Sequence, residues 1–425
     1  MHPSHSFVSI LIVGLSASVL SAQAPSDWPQ FRGPGGQGVS PDKGVPTTWG
    51  PKDNLLWTID LPGPGTGSPI VIGDKIFLTC HTGYAVPGKA RGDIKDLRLH
   101  LLCLDRQTGK ELWNKDVDAN LPKEQERIRE DHGYASGTPA ADAEHVYVCF
   151  GKAGVVAFDH SGQQKWKKEI GEKVNGWGTA VSPVLVGDLV VVNASVESES
   201  VIAFNRKSGE QVWRKTGVKE SWSTPVVVTA PGGRRELVVA MFGKVLGLDP
   251  ATGKDLWSCA TDITWYMVPG PVAEDGVVYC LGGRSGVAAL AVKAGGEGNV
   301  TATHRLWTEK KGSNVSSPVV HDGHLYWMND NTGTAYCAEG KTGKIVYEQR
   351  IDRAGQVYAS PVLVDGKIYY TSRDGKTFVV AAKPEFELLA TNTLGTRGEM
   401  FNASPAVAGG RLFVRSNLAL YCVGK

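Results

Sequence analysis

Residues 358–380, YASPVLVDGKIYYTSRDGKTFVV, decide the fold. The stretch opens on Ser360-Pro361, runs through a short apolar segment and turns at Asp365-Gly366. An alternating apolar strand, a second turn and another strand follow. Asp-Gly between apolar runs is hairpin chemistry, because its backbone accepts the positive φ that matches strand twist. In most copies of the unit a Gly-containing turn and a Trp strand come next, as in residues 249–257, DPATGKDLW.

The unit recurs. Its opening prolines are Pro69, Pro139, Pro183, Pro225, Pro271, Pro318, Pro361 and Pro405, separated by 70, 44, 42, 46, 47, 43 and 44 residues. One unit is oversized and the rest are regular. A second series marks the closing strand: Trp57, Trp113, Trp166, Trp213, Trp257, Trp307, then Tyr347 and a weak copy near Leu389. Both series count eight. Four short strands per period of about forty residues describe a propeller blade, so the expected fold is all-β, an eight-bladed β-propeller of four-stranded blades. After Pro405 the chain offers only three strands, and before Pro69 stands one orphan closing strand, Leu55–Asp60. Placing Leu55–Asp60 outermost in the last blade closes the ring and removes an open edge.

Three segments organise the 425 residues. Residues 1–24 read as a signal peptide, with an apolar stretch at 7–20 too short to span a bilayer and a small-x-small cleavage site at Ala22-Gln23-Ala24. Residues 25–54, rich in Gly, Pro and Trp, read as an ordered coil whose Trp28, Phe31 and Trp49 pack onto the body, and 55–425 form the propeller. Gly33, Gly35 and Gly38 match the dinucleotide fingerprint in spacing only; no strand precedes them and no helix follows. The first cysteine is Cys80, so no acylated Cys adjoins the signal, and no later run is apolar enough to cross a membrane. The expectation is a soluble exported monomer, periplasmic or secreted.

A formal charge of +2 exerts no general pull on nucleic acid. Of the seven cysteines, Cys103, Cys337 and Cys422 fall at one repeat position, and Cys149 and Cys280 at another. Equivalent positions lie far apart, so these read as small buried hydrophobes; Cys80 and Cys103, on consecutive strands, are the one plausible pair.

Strand direction alternates within a blade, so loops sort onto two faces. The stretches before the opening prolines place Tyr134, Trp177, Trp222, Trp265, Tyr266 and Tyr358 on one face, with Asn314, Phe401 and Asn402. The inner turns of that face add Lys152, Lys244, Arg284, Asp330, Arg373 and Arg415. Aromatic surfaces among cations around a channel mouth suit a flat anionic ligand or a partner peptide. The candidate ligand-binding residues are Tyr134, Trp177, Trp222, Tyr266, Arg284, Tyr358, Arg373 and Arg415. Both long insertions, residues 81–96 and 118–132, fall on the same face, and 122–131 is the one convincing helical stretch, its charges read as a solvated face. No H-E-x-x-H, paired CxxC, G-x-S-x-G or P-loop is present, and the spacing of His321 and His324 is a weak metal signal. No catalytic or metal-ligating residue is assigned.

The G-x-x-x-W turns ending at Trp113, Trp166, Trp213 and Trp257 resemble the tryptophan-docking repeats of pyrroloquinoline quinone (PQQ)-type propellers, and the opening prolines resemble the same repeat over about 55–425. The leader DWPQFRGPGGQGVS is similar to that of exported PQQ-like proteins. The resemblance implies one of two functions. Quinoprotein alcohol dehydrogenases bind PQQ with calcium or a lanthanide; their adjacent Cys-Cys is absent here, and their Glu/Asn/Asp metal cluster matches no segment. The propeller subunit of the bacterial outer-membrane β-barrel assembly machinery binds partner proteins without a cofactor; it is a lipoprotein, and this chain lacks the lipidated Cys. The chain is therefore read as a non-catalytic binding or scaffold propeller, holding a protein partner or other extended ligand at the channel mouth. The alternative is a divergent PQQ-dependent oxidoreductase, in which Trp177 or Trp222 is the stacking floor and Arg284 or Arg373 meets a carboxylate. A third reading is glycan binding by the same aromatics.

Overall fold

The computed structural model describes residues 26–121, 128–129, 132–396 and 398–425. The signal segment 1–24 and most of the expected helix at 122–131 lie outside the described residues. Eight antiparallel sheets form the eight blades. Blade 7 shows the pattern of residues 358–380: Val362–Val364 innermost, then Lys367–Thr371, Lys376–Ala381 and Leu388–Thr393. Blades 1 to 6 span 70–118, 140–168, 184–216, 226–260, 272–309 and 319–350. Blade 8 takes Ala406–Ala408, Arg411–Arg415 and Ala419–Val423, and Leu55–Asp60 pairs with Ala419–Val423 as its outer strand. The ring closes as the strand count required.

Period-two alternation builds the core between blades. In blade 3, Val190, Val192, Ile202 and Phe204 pack against blade 2, with Tyr147, Cys149 and Val155. The intervening Val191, Val201 and Ala203 pack against Leu237 and Val239 of blade 4. The inner strands thus bury both faces, one towards each neighbour, while the outer strands stay partly exposed.

Two sets of contacts zip the seams. At the channel, the residue before each opening proline donates its backbone N–H to the hydroxyl of its counterpart in the next blade. The bonds run Ser68 to Thr138 (2.9 Å), Thr138 to Ser182 (3.1 Å) and Ser182 to Thr224 (3.4 Å). They resume from Gly270 to Ser317 (2.9 Å), Ser317 to Ser360 (3.0 Å), Ser360 to Ser404 (2.9 Å) and Ser404 to Ser68 (3.0 Å). The circle is broken only where Gly270 has no hydroxyl to offer Thr224. At the rim, four of the closing Trp residues reach the next blade: Trp113, Trp166, Trp213 and Trp307 donate Nε1–H to the carbonyls of His160, Arg206, Pro250 and Gly340, while Trp57 Nε1 has no partner among the described residues. Their rings lie on turn glycines. At Gly162 (φ 83°) a Cβ would sit 2.9 Å from the Trp113 ring, so the G-x-x-x-W spacing serves two seams at once.

Trp257 departs from the series. Its Nε1–H meets Glu236 Oε2 in its own blade at 2.6 Å. Blade 5 replaces the receiving turn with residues 294–304, which hold a short parallel strand and the helix Thr301–His304. The cysteines also correct the sequence reading. Cys80 lies opposite His100 and Cys103 opposite Phe77, an odd offset that turns them to opposite faces of blade 1, and all seven thiols are free and buried. Cys149 and Cys280 are not equivalent: Tyr147 and Tyr279, each opposite the innermost strand and an Ala, are the matching residues, so the two thiols differ by one register step.

The N-terminal coil does more than pack on the body. It crosses one end of the channel and bonds to six blades. Trp28 exchanges backbone hydrogen bonds with Val71 of blade 1 (2.8 and 2.9 Å), and Ala141 of blade 2 donates to the Pro29 carbonyl (2.8 Å). Ala273 of blade 5 donates to Gln37 Oε1 (2.8 Å), and Arg32 donates to the Pro318 carbonyl of blade 6. Val39–Ser40 pairs in parallel with Val362–Val364 of blade 7, and Gly410 of blade 8 donates to Asp42 (3.0 Å). Gly38 (φ 75°) is required here, since a Cβ would stand 2.3 Å from Arg32 Nη2. Burial without a carboxylate partner pushes the Arg32 guanidinium down to about 9.

Candidate functional site

With one end sealed, the channel is a blind well. Phe31 forms part of its floor, and the hydroxyl circle of Ser68, Thr138, Ser182, Thr224, Ser317, Ser360 and Ser404 rings its neck. The well widens at the opposite face into a cavity of about 540 Å³. Loops before the opening prolines supply one wall: Trp177, Trp222, Trp265, Tyr266 and Tyr358. Middle turns of blades 5 and 6 supply Arg284 and the run Asn329, Asp330 and Asn331.

The aromatic groups form a chain. Trp222, nearly buried, donates Nε1–H to the Gly178 carbonyl (2.9 Å) and lies 5.1 Å from Tyr266, which lies 5.0 Å from Trp265. Guanidinium groups cover three of the mouth's rings: Arg129 over Trp177 at 3.9 Å, Arg284 over Trp265 at 4.6 Å and Arg373 over Tyr358 at 4.4 Å. His132 adds an edge contact to Trp177 at 5.9 Å. Asp330, buried, accepts from the Asn314 N–H (2.8 Å), Ser313 Oγ (3.3 Å) and Asn331 Nδ2 (3.0 Å).

Residues 97–349 and 297–385 match the family described as outer membrane protein assembly factor BamB. The chain belongs to that family. Curated BamB proteins are similar at low identity: that of Yersinia pestis is 24% identical over 65% of this chain and 78% of its own length. That of Shewanella oneidensis is 22% identical over 88% of this chain and 98% of its own. Among solved structures, BamB from Moraxella catarrhalis shares the fold with a TM-score of 0.59 at 14% identity, covering 87% of this chain and 97% of that one. A europium-containing methanol dehydrogenase shares it with a TM-score of 0.63 at 13% identity, covering 91% and 89%. The two likenesses show the propeller alone.

Against that family frame, five of the eight candidate residues converge. Trp177, Trp222, Tyr266, Arg284 and Tyr358 line the cavity. Arg373 stands beside it, stacked on Tyr358 and bonded to Asn402 Oδ1 (3.0 Å) and Gln356 Oε1 (2.8 Å). Tyr134 is drawn away: it is buried against His81 (5.2 Å) and Tyr84 (5.8 Å), because the long loop of blade 1 folds over it. Arg415 is a correction. It is wholly buried, donates Nη1–H to the Gly67 carbonyl and is pushed down to about 10 by burial, so it faces no open mouth. The backbone of Gly65 lies against it, since a Cβ there would stand 2.5 Å from Arg415 Nη2. Lys152 lines a separate crevice beside the buried Glu197, whose carboxyl burial pushes up to about 7.

Sequence reasoning missed Arg129, Lys310 and the paired asparagines Asn329 and Asn331 as lining residues. Arg129 sits in the EQERIRED run, whose charges read as a solvated face. Calcium takes six to eight oxygen ligands, carboxylates among them. Among the described residues the cavity offers one carboxylate, Asp330, already engaged by three donors, and no group of three or more His, Cys, Asp or Glu is placed to hold a metal. The described lining does not supply the ligand set of a calcium-held quinone. Among the described residues no helix is long and apolar enough to cross a membrane.

Proposed function

We propose that this protein is an exported, periplasmic scaffold that works as a monomer without a cofactor and binds a partner protein at the open end of its channel. Membership of the BamB family supports a binding role, its relatives being outer membrane protein assembly factors. The observation that carries the reading is the composition of the well: aromatic rings, guanidinium groups and amides around, among the described residues, a single engaged carboxylate. Such a lining provides adhesion and orientation, and among the described residues it lacks the paired or poised groups that general acid–base or nucleophilic chemistry requires.

The test is site-directed photo-crosslinking on the whole mature chain in the cell envelope. A photoreactive residue replaces Lys310 at the mouth or, as a control, Lys341 in a turn of the opposite face. Adducts with an envelope protein from position 310 and none from 341 are expected. Adducts from 341 alone, or saturable calcium-dependent quenching of Trp fluorescence by PQQ, would overturn the reading.

A further inference from the structure

We infer that the well takes an acidic peptide segment of the partner, its carboxylates held by guanidinium groups that the mouth aromatics keep in place. The inference rests on the protein-binding reading above.

Charge is the first observation. Arg129, Arg284 and Lys310 line the cavity, and among the described residues its one carboxylate, Asp330, is already engaged by Asn314, Ser313 and Asn331. Three cations against one engaged carboxylate in the described lining favour an entering anion, and low-dielectric walls strengthen that attraction.

The placement of the cations is the second. Stacking occupies a guanidinium's face and leaves its in-plane N–H fork for a bidentate oxyanion. Arg284 over Trp265 and Arg129 over Trp177 lie at distances that suit this arrangement, 4.6 and 3.9 Å from the ring centroids, and among the described residues neither side chain forms an ion pair. Arg373, stacked on Tyr358, spends its donors on Asn402 and Gln356 and acts as a buttress. A flat ligand or a sugar ring would meet these guanidinium groups before the covered faces of the rings, so the mouth is built to read oxyanions first.

The third observation separates a peptide from a simple oxyanion. Asn314 lines the cavity, and its buried Oδ1 has no donor among the described residues. Phosphate, sulfate or a free carboxylate brings no N–H to it, whereas a peptide carries a backbone N–H at every residue but proline.

Selection decides the matter. A display library of random peptides is panned against the mature protein and, in parallel, against the Arg129→Ala/Arg284→Ala double variant. Both side chains are solvent-exposed, so thermal melting should confirm an unchanged fold. Enrichment of peptides rich in Asp and Glu is expected. The selected peptides, made synthetically, should bind about tenfold more weakly to the double variant, and at least fivefold more weakly as salt rises from 50 to 300 mM. Arg284→Lys, which keeps charge and loses the fork, should fall between. Peptides without acidic excess, equal affinity for the double variant, or no enrichment would each overturn the inference. So would binding of an acidic oligosaccharide such as oligogalacturonate with no peptide selected. A crosslinked partner at position 310 that ignores both arginines would remove the acidic segment and leave the protein-binding reading standing; absence of both would remove both.

Discussion

The two ends of the channel are made by the same eight blades and could hardly differ more. At one end the chain itself is the occupant: residues 27–42 bond to six blades through backbone groups and buried side chains. At the other, the loops before the opening prolines diverge, and their rings and cations stay half-exposed around about 540 Å³ of open cavity. The sealed end is tied down by backbone pairing and buried rings, so it contributes stability even though Trp28 Nε1 and Arg32 Nε and Nη1 are buried there without partners among the described residues. At the open end Arg129 and Arg284 form no ion pair among the described residues, which suits that end to the recognition proposed for it. Substitutions at the two ends should therefore separate into those that cost folding and those that cost binding.

The largest expected loss of stability is Trp28→Ala. Trp28 is 1% exposed and packs in the core shared by blades 1, 7 and 8. Truncating a fully buried Trp leaves a cavity that costs about 3–5 kcal/mol. Urea unfolding followed by Trp fluorescence should show that loss, with partner binding retained in native buffer. A loss below about 1 kcal/mol would mean the coil is laid on a ring that is stable without it.

Next comes a pH-dependent term near the mouth. Glu197 is 3% exposed, in a short helix of blade 3, and burial raises its carboxyl from 4.5 to about 7. A raised acid favours its neutral form in the fold. Its contribution is therefore fully present below about pH 4.5 and lost as pH rises through 7, on the order of 3 kcal/mol in all. Glu197→Gln, permanently neutral, should be clearly more stable than the parent at pH 8 and nearly equal to it at pH 4.5. Parallel urea midpoints at the two pH values check this; equal differences at both would show that the carboxyl is hydrated in the native state.

A smaller gain is expected where the hydroxyl circle breaks. Gly270 has room for a side chain, its nearest Cβ neighbours being 3.6–3.9 Å away, and its φ is not positive. Gly270→Ser supplies the missing acceptor for Thr224 N–H and stiffens the unfolded chain, together worth about 0.5–1.5 kcal/mol. Differential melting of parent and variant measures it. No gain would mean that the seven existing bonds set register rather than stability.

The same contrast explains what the sequence made legible. Opening prolines, Asp-Gly turns and the orphan strand Leu55–Asp60 are repeated or counted features, and repetition fixed blade number and ring closure. The hydroxyl before every opening proline but Pro271 is a visible pattern, though its circular bonding needs the ring to exist first. Single events were opaque. Nothing periodic marks Arg32 and Gly38 as channel residues, or predicts that residues 294–304 will turn Trp257 back into its own blade. At the mouth, the aromatics were legible because they precede each proline. Which cation stacks on which ring was not, since loop side chains follow no period: Arg415 went inward against Gly65 and Gly67, while Arg129 emerged over Trp177.

Trp177→Ala should have the smallest effect on folding and so draws the contrast most sharply. The ring is half-exposed, lines the cavity, carries Arg129 on its face at 3.9 Å and touches His132 edge-on. Its N–H to Asn175 Oδ1 bond is backbone and survives the change. Little apolar area returns to water, so the cost should stay below about 1 kcal/mol. Loss of the ring frees the Arg129 guanidinium to sample many rotamers, and an unheld cation binds an oxyanion with a larger entropic cost. Crosslinking from position 310 should therefore drop several-fold while the urea midpoint barely moves. If the midpoint falls as far as it does for Trp28→Ala, the mouth is part of the structural core and the division between the two ends fails.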